Sequence, residues 1–261
     1  MIMGFLGAIG QQVLTFLQAL GYSTVFLLQA VFVKPRFKSF HLLLKQFYVV
    51  GVLSLPIIIF AAFFVGMVLG LQGYTVLVKF GAESALGQLI ALSLVRELGP
   101  VLGGLLFAGR ACSALTAEIA LLKTTEQLDS MRLLGVDPLH RIIAPRLWAG
   151  FFCLPMLVII FNAVAIYGGY WVGVDFLGID SGSFWSGMQN SVNYYEDVIN
   201  GIIKSIVFAI AVTWIAVYQG YTAMPTSEGI GYATTRTVVY ASLVILALDF
   251  ILTAVMFTGL Q

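Results

Sequence analysis

The chain has 261 residues, of which 60% are hydrophobic and only 10% are charged, with a mean hydropathy of +1.00. Soluble domains carry about 25% charged residues, so the solvent implied here is a bilayer. A formal net charge of +1 with no run of Lys or Arg excludes a nucleic-acid surface, and two cysteines, Cys112 and Cys153, make neither a disulfide framework nor a metal-ligand spacing.

Residues 1–33 hold no charged side chain, and Gln11, Thr15, Gln18, Tyr22 and Gln29 recur at helical spacing. That stripe predicts a helix lying in the membrane interface, although the length would also permit a span. No Lys or Arg precedes the apolar run, which is unlike a signal peptide. Lys34, Arg36, Lys38 and Lys45 follow around Pro35. The first predicted span is 47–73, and its Gly66 and Gly70 form a GxxxG that permits close approach by another helix, in the same chain or another. The second is 86–112, interrupted by Arg96-Glu97 and Gly99-Pro100. The third is 147–174, with Trp148 and Trp171 at the two interfaces. The fourth is 198–221 and the fifth 237–257. Five spans and one interfacial helix make an all-α membrane protein of a single domain, 1–261. Basic residues in the connections divide ten against one, which places the N-terminus and the 110–146 and 222–236 loops in the cytoplasm and the C-terminus outside.

Four charges fall within spans: Arg96, Glu97, Lys204 and Asp249. Each costs about 2.5–3.5 kcal/mol at a helix centre, so each needs a partner or a purpose. Consecutive residues point about 100° apart, so Arg96 and Glu97 are poorly placed to pair with each other. Depth counting at about 1.5 Å per residue suggests Arg96 with Asp249 and Glu97 with Lys204. The pairs either hold the bundle together or border a route through it.

Between the second and third spans, Thr124 and Gln127 fit a capping box, Gly135 fits a helix C-terminus, and Pro138 blocks continuation. A helix over 125–134 follows, with Leu128, Met131 and Leu134 on one face. It is too short to be stable alone and has to dock, on its own domain or on a partner. His41 and His140 lie in separate segments, and no HExxH, GxSxG or GxxxxGK[ST] occurs. The residues therefore predict no catalytic set and no metal site, and leave open a lipid permease, an ion-coupled secondary transporter using Glu97 and Asp249, or a membrane scaffold.

Long stretches narrow this. GVLSLPIIIFAAFFVGMVLGLQGY (51–74), ALSLVRELGPVLGGLLFAGRACSALTAEI (91–119), TEQLDSMRLLGVDPLHRIIAPR (125–146), FWSGMQN (184–190), IKSIVFAIAVTW (203–214) and PTSEGIGYATTRTVV (225–239) resemble the MlaE-type permeases, membrane subunits of bacterial ABC systems for phospholipids. The resemblance implies a homodimer in the inner membrane of Gram-negative bacteria that maintains outer-membrane lipid asymmetry. It implies cytoplasmic ABC ATPase subunits holding the ATP and Mg, a small STAS-domain protein, and a hexameric MCE-domain protein on the periplasmic side. It implies a coupling helix carrying Glu126, Gln127, Leu128, Met131 and Leu134. It implies a phospholipid cavity between two subunits, walled by Leu69, Val76, Leu77 and Leu98, with Arg96 and Glu97 beside it and Lys204 near its mouth.

Overall fold

The computed structural model describes residues 11, 14, 18, 21–29 and 40–257. Among these, the regular elements are all helical, as a chain that must satisfy its backbone inside hydrocarbon requires. They include the long helices α1 (His41–Phe80), α2 (Glu83–Thr124), α4 (Leu139–Phe176), α6 (Tyr194–Thr222) and α7 (Ser227–Met256), with the short helices α3 (Gln127–Leu133) and α5 (Ser181–Ser191) between them. The five long ones are each apolar and long enough to cross a membrane. Most overrun the predicted spans because the helices continue through polar ends that hydropathy alone does not count.

α1 lies along α4, and α6 touches α4, α2 and α7. Small residues set the first contact. A Cβ on Gly66 would lie 1.9 Å from the carbonyl oxygen of Ala165, and one on Gly168 would lie 2.4 Å from that of Phe63. The GxxxG of α1 therefore packs within its own chain, which settles the choice its sequence left open. The core between these helices is filled by Ile58, Ile90, Phe107, Phe161 and Phe208, all fully buried.

Several helices include wider turns with i→i+5 bonds, among them Leu94–Leu98, Leu139–Ile143 and Tyr194–Val198. The first has a reason in sequence. Pro100 has no N–H to offer the carbonyl of Arg96, so the regular ladder is broken at that turn. Gly99 N–H bonds instead to the Leu94 carbonyl, five residues back.

Most of the interfacial helix predicted over 1–33 lies outside the described residues. Residues 21–29 are helical. Phe26 is buried against Ile119, Val217, Tyr218 and Tyr221, and the Trp214 indole donates to the Ser23 carbonyl at 3.0 Å. This end of the chain is thereby held to α2 and α6.

Candidate functional site

Five charged residues of α2, α6 and α7, Arg96, Glu97, Asp197, Lys204 and Asp249, converge on one cluster. Lys204 is 1% exposed. Its ammonium donates to Glu97 Oε2 at 2.6 Å, Asp249 Oδ1 at 3.1 Å, Thr253 Oγ1 at 2.7 Å and the Arg96 carbonyl at 3.1 Å. The last contact supplies a donor to the oxygen that Pro100 cannot serve. Asp249 and Thr253 are four apart on α7 and so share a face. Thr253 also donates to Glu97, at 3.2 Å, closing a ring around the ammonium.

Arg96 turns the other way. Its Nε donates to Asp197 Oδ1, and Asp197 Oδ2 accepts the Asn193 N–H at 2.7 Å. Asp197 is wholly buried in the first turn of α6, where a carboxylate also meets the positive end of the helix dipole. Asp197 and Lys204 are seven residues apart, two turns along one face and about 10 Å in rise. That face offers minus then plus, and Arg96-Glu97 answers with plus then minus.

The expected Glu97–Lys204 pair is present, whereas Arg96–Asp249 is not: Asp249 shares Lys204 with Glu97, and Arg96 takes Asp197. Depth counting went astray for two reasons. The wide turn at Leu94–Leu98 changes the rise and angle that an ordinary helix would give. Hydropathy starts the fourth span at 198, one residue after Asp197, yet the helix already includes Asp197. The missed signal was the i, i+7 spacing of Asp197 and Lys204.

Exposure sorts the five side chains into two layers. Arg96, Glu97 and Asp249 are 33%, 35% and 21% exposed, while Lys204 and Asp197 stand behind them at 1% and 0%. Leu69, Leu77 and Leu98 are half-buried and rest on the core, and Val76 is exposed. Each therefore keeps apolar surface outside the single-chain core.

At the other end of the second span, α3 begins at Gln127, later than the sequence suggested. Thr124 bonds back to the Ala120 carbonyl at 2.9 Å, so the capping box does not form, and Glu126 takes a left-handed conformation with φ 56°. The C-terminus is as read from Gly135, which has φ 72°. Gly135 N–H bonds to Arg132 O at 3.0 Å and Val136 N–H to Met131 O at 2.9 Å, the paired bonds of a Schellman stop. Leu128 is buried, and Arg132 reaches the Tyr221 hydroxyl. Leu134 does not share the buried face: it lies past the last helical residue and is 79% exposed, beside Leu133 at 89%. The short helix is thus anchored by one side and presents two leucines outward.

A profile of the family described as Permease MlaE matches residues 43–255. The chain belongs to this family. It is 61% identical to the intermembrane phospholipid transport system permease protein MlaE of Haemophilus influenzae, over 98% of this chain and 99% of that one. It is 36% identical to a probable ABC transporter permease protein of Rickettsia typhi over 98% and 99% of the two chains. A probable ABC transporter permease protein of Synechocystis is 35% identical over 83% of this chain and 82% of its own. In the MlaE family frame, all five charged residues of the cluster and the whole of α3 fall inside the matched region.

Proposed function

We propose that this chain is the membrane permease subunit of an ABC transporter that moves phospholipid between the inner and outer membranes of a bacterium. The observation that carries this is the full-length, 61% identity to a permease named for intermembrane phospholipid transport. The geometry supports it. Acyl chains need apolar walls, and headgroups need polar groups at one end, which the open layer of Arg96, Glu97 and Asp249 provides beside Leu98. A zwitterionic headgroup has its phosphate attracted to the guanidinium and its amine to the two carboxylates. Lys204 and Asp197 hold those three side chains in place from behind.

The chain is a transport subunit, and ATP with Mg belongs to a separate cytoplasmic ABC ATPase that docks on α3. Support for this docking comes from Leu133 and Leu134, apolar and outward on an anchored helix. Two copies form the working unit, each supplying a wall of Leu69, Val76, Leu77 and Leu98 to a shared chamber. An MCE-domain hexamer covers that chamber on the periplasmic side, and a STAS-domain protein accompanies the ATPase. The N-terminus is cytoplasmic and the C-terminus periplasmic, and the complex maintains outer-membrane lipid asymmetry. The test is reconstitution into vesicles with the co-purifying ATPase and a fluorescent phospholipid. ATP-dependent lipid transfer is expected. Transfer driven by a proton gradient with the ATPase omitted would reject the assignment in favour of an ion-coupled carrier.

A further inference from the structure

At the end of the bundle that carries α3, away from the charged cluster just described, a cavity of about 210 Å³ opens between the start of α1, the end of α2, α3 and the start of α4. Lys45, Arg141 and Arg146 line it, and no carboxylate is among its lining residues. Two of its lining residues each carry a buried side-chain polar atom with no partner among the described residues. Gln46 is 7% exposed, and its side-chain oxygen has no hydrogen bond. Arg146 donates from its two terminal nitrogens to Ile142 O at 3.1 Å and Glu118 Oε2 at 3.0 Å, yet its buried Nε–H has no acceptor. A buried polar atom left unsatisfied costs about 1–3 kcal/mol, which a small side-chain shift toward a phosphate in the cavity would relieve. The Gln46 amide offers either end by a flip, including its two N–H groups.

We infer that this cavity binds the phosphate of an anionic phospholipid headgroup from the adjacent leaflet. Lys45 and Arg141, with no ion pair among the described residues, together with the guanidine N–H of Arg146 and a buried amide, make a donor set for phosphate oxygens. The position supplies the lipid. The cavity sits at the ends of three helices long and apolar enough to cross a membrane, and Leu42 and Ile142 in its wall leave an apolar side to the acyl chains. Basic pockets between helices at that level bind such headgroups. Gln127 and Met131 of α3 also belong to the wall, so the bound phosphate ties the short helix to α1 and α4. Anionic lipid is thereby a structural link in the connection between α3 and the membrane body. This site is separate from the transported lipid's route, and the inference stands whether or not the proposed transport reading does.

The test is native mass spectrometry of the full chain in detergent, titrated with phosphatidylglycerol, phosphatidylcholine or inorganic phosphate. Lys45→Ala and Arg141→Ala are the informative variants, because neither side chain makes an ion pair among the described residues. Phosphatidylglycerol is expected to bind more tightly than phosphatidylcholine, with affinity falling roughly fivefold for each cation removed and about 25-fold in the double variant. Gln46→Leu, which removes no charge, is expected to weaken binding as well. Inorganic phosphate at millimolar concentration should not displace the lipid. Unchanged phosphatidylglycerol binding in the double variant would overturn the site. Binding of inorganic phosphate with no lipid preference would overturn the lipid assignment. Protection of Lys45 from amine-reactive labelling by the bound ATPase in lipid-free detergent would assign the cavity to a protein partner instead.

Discussion

Replacing Lys204 by Met removes the ammonium at the centre of the cluster while keeping the length of its stem. Glu97 and Asp249 are then left facing each other across Thr253 with their shared counter-ion gone. Breaking a buried ion pair by removing one partner costs about 3–5 kcal/mol. The two carboxylates are 35% and 21% exposed, so water offsets part of this, and the lower end, about 3 kcal/mol, is the expected loss. That is a shift of about 150-fold in the folded-to-unfolded ratio. Equilibrium unfolding in mixed detergent micelles reads it directly. The loss should be recovered to within about 1 kcal/mol when Glu97→Gln and Asp249→Asn are added, since neutral groups of the same shape leave no charge unpaired. A charge swap, Glu97→Lys with Lys204→Glu, should recover only part. It restores one pair but sets a carboxylate at position 204 beside Asp249. A triple variant as unstable as Lys204→Met alone, or a swap that restores full stability, would refute the three-way sharing.

Asp197→Ala strips a partner from both Arg96 and the Asn193 N–H and should cost about 1–3 kcal/mol in the same unfolding assay, with Asp197→Asn costing less because one acceptor remains. Gly66→Ala drives a methyl into the Ala165 carbonyl and should destabilise by about 1–3 kcal/mol or prevent folding, whereas Gly109→Ala, with nothing within 4 Å, should be neutral or gain up to about 1 kcal/mol of helix propensity. Leu133→Asp with Leu134→Asp should leave the unfolding curve within about 0.5 kcal/mol, because both side chains are exposed, while abolishing capture of the ATPase on co-purification. Leu77→Arg or Leu98→Arg should lower ATP-dependent lipid transfer without unfolding the protein, measured in reconstituted vesicles.

The helical body was legible because hydrophobic run length is a direct physical requirement of a bilayer, and the five long apolar helices answer it. Gly135 was legible because a left-handed stop nearly demands glycine. The pairing of Arg96 was not, since helix arithmetic assumes 3.6 residues per turn and Pro100 disrupts the turn that carries Arg96. The i, i+7 relation of Asp197 and Lys204 is present in the sequence, but hydropathy begins the span at 198 and leaves Asp197 just outside it. The start of α3 was misread for a related reason: Thr124 and Gln127 have the right spacing for a cap, yet a threonine at a helix end can equally bond to the carbonyl four residues back, and here it does. The exposure of Leu134 follows from that helix ending one residue sooner than periodicity suggested.

On the proposed function, phospholipid passes beside the charged cluster under the control of an external motor. Photocrosslinking from position 98 in the reconstituted complex addresses it, with Phe60, on the outer surface of α1 and 66% exposed, as a bilayer control. Crosslinked phospholipid at position 98 should change with ATP turnover, while the yield at position 60 stays constant. No lipid at position 98, or a yield there as indifferent to ATP as at position 60, would contradict the account.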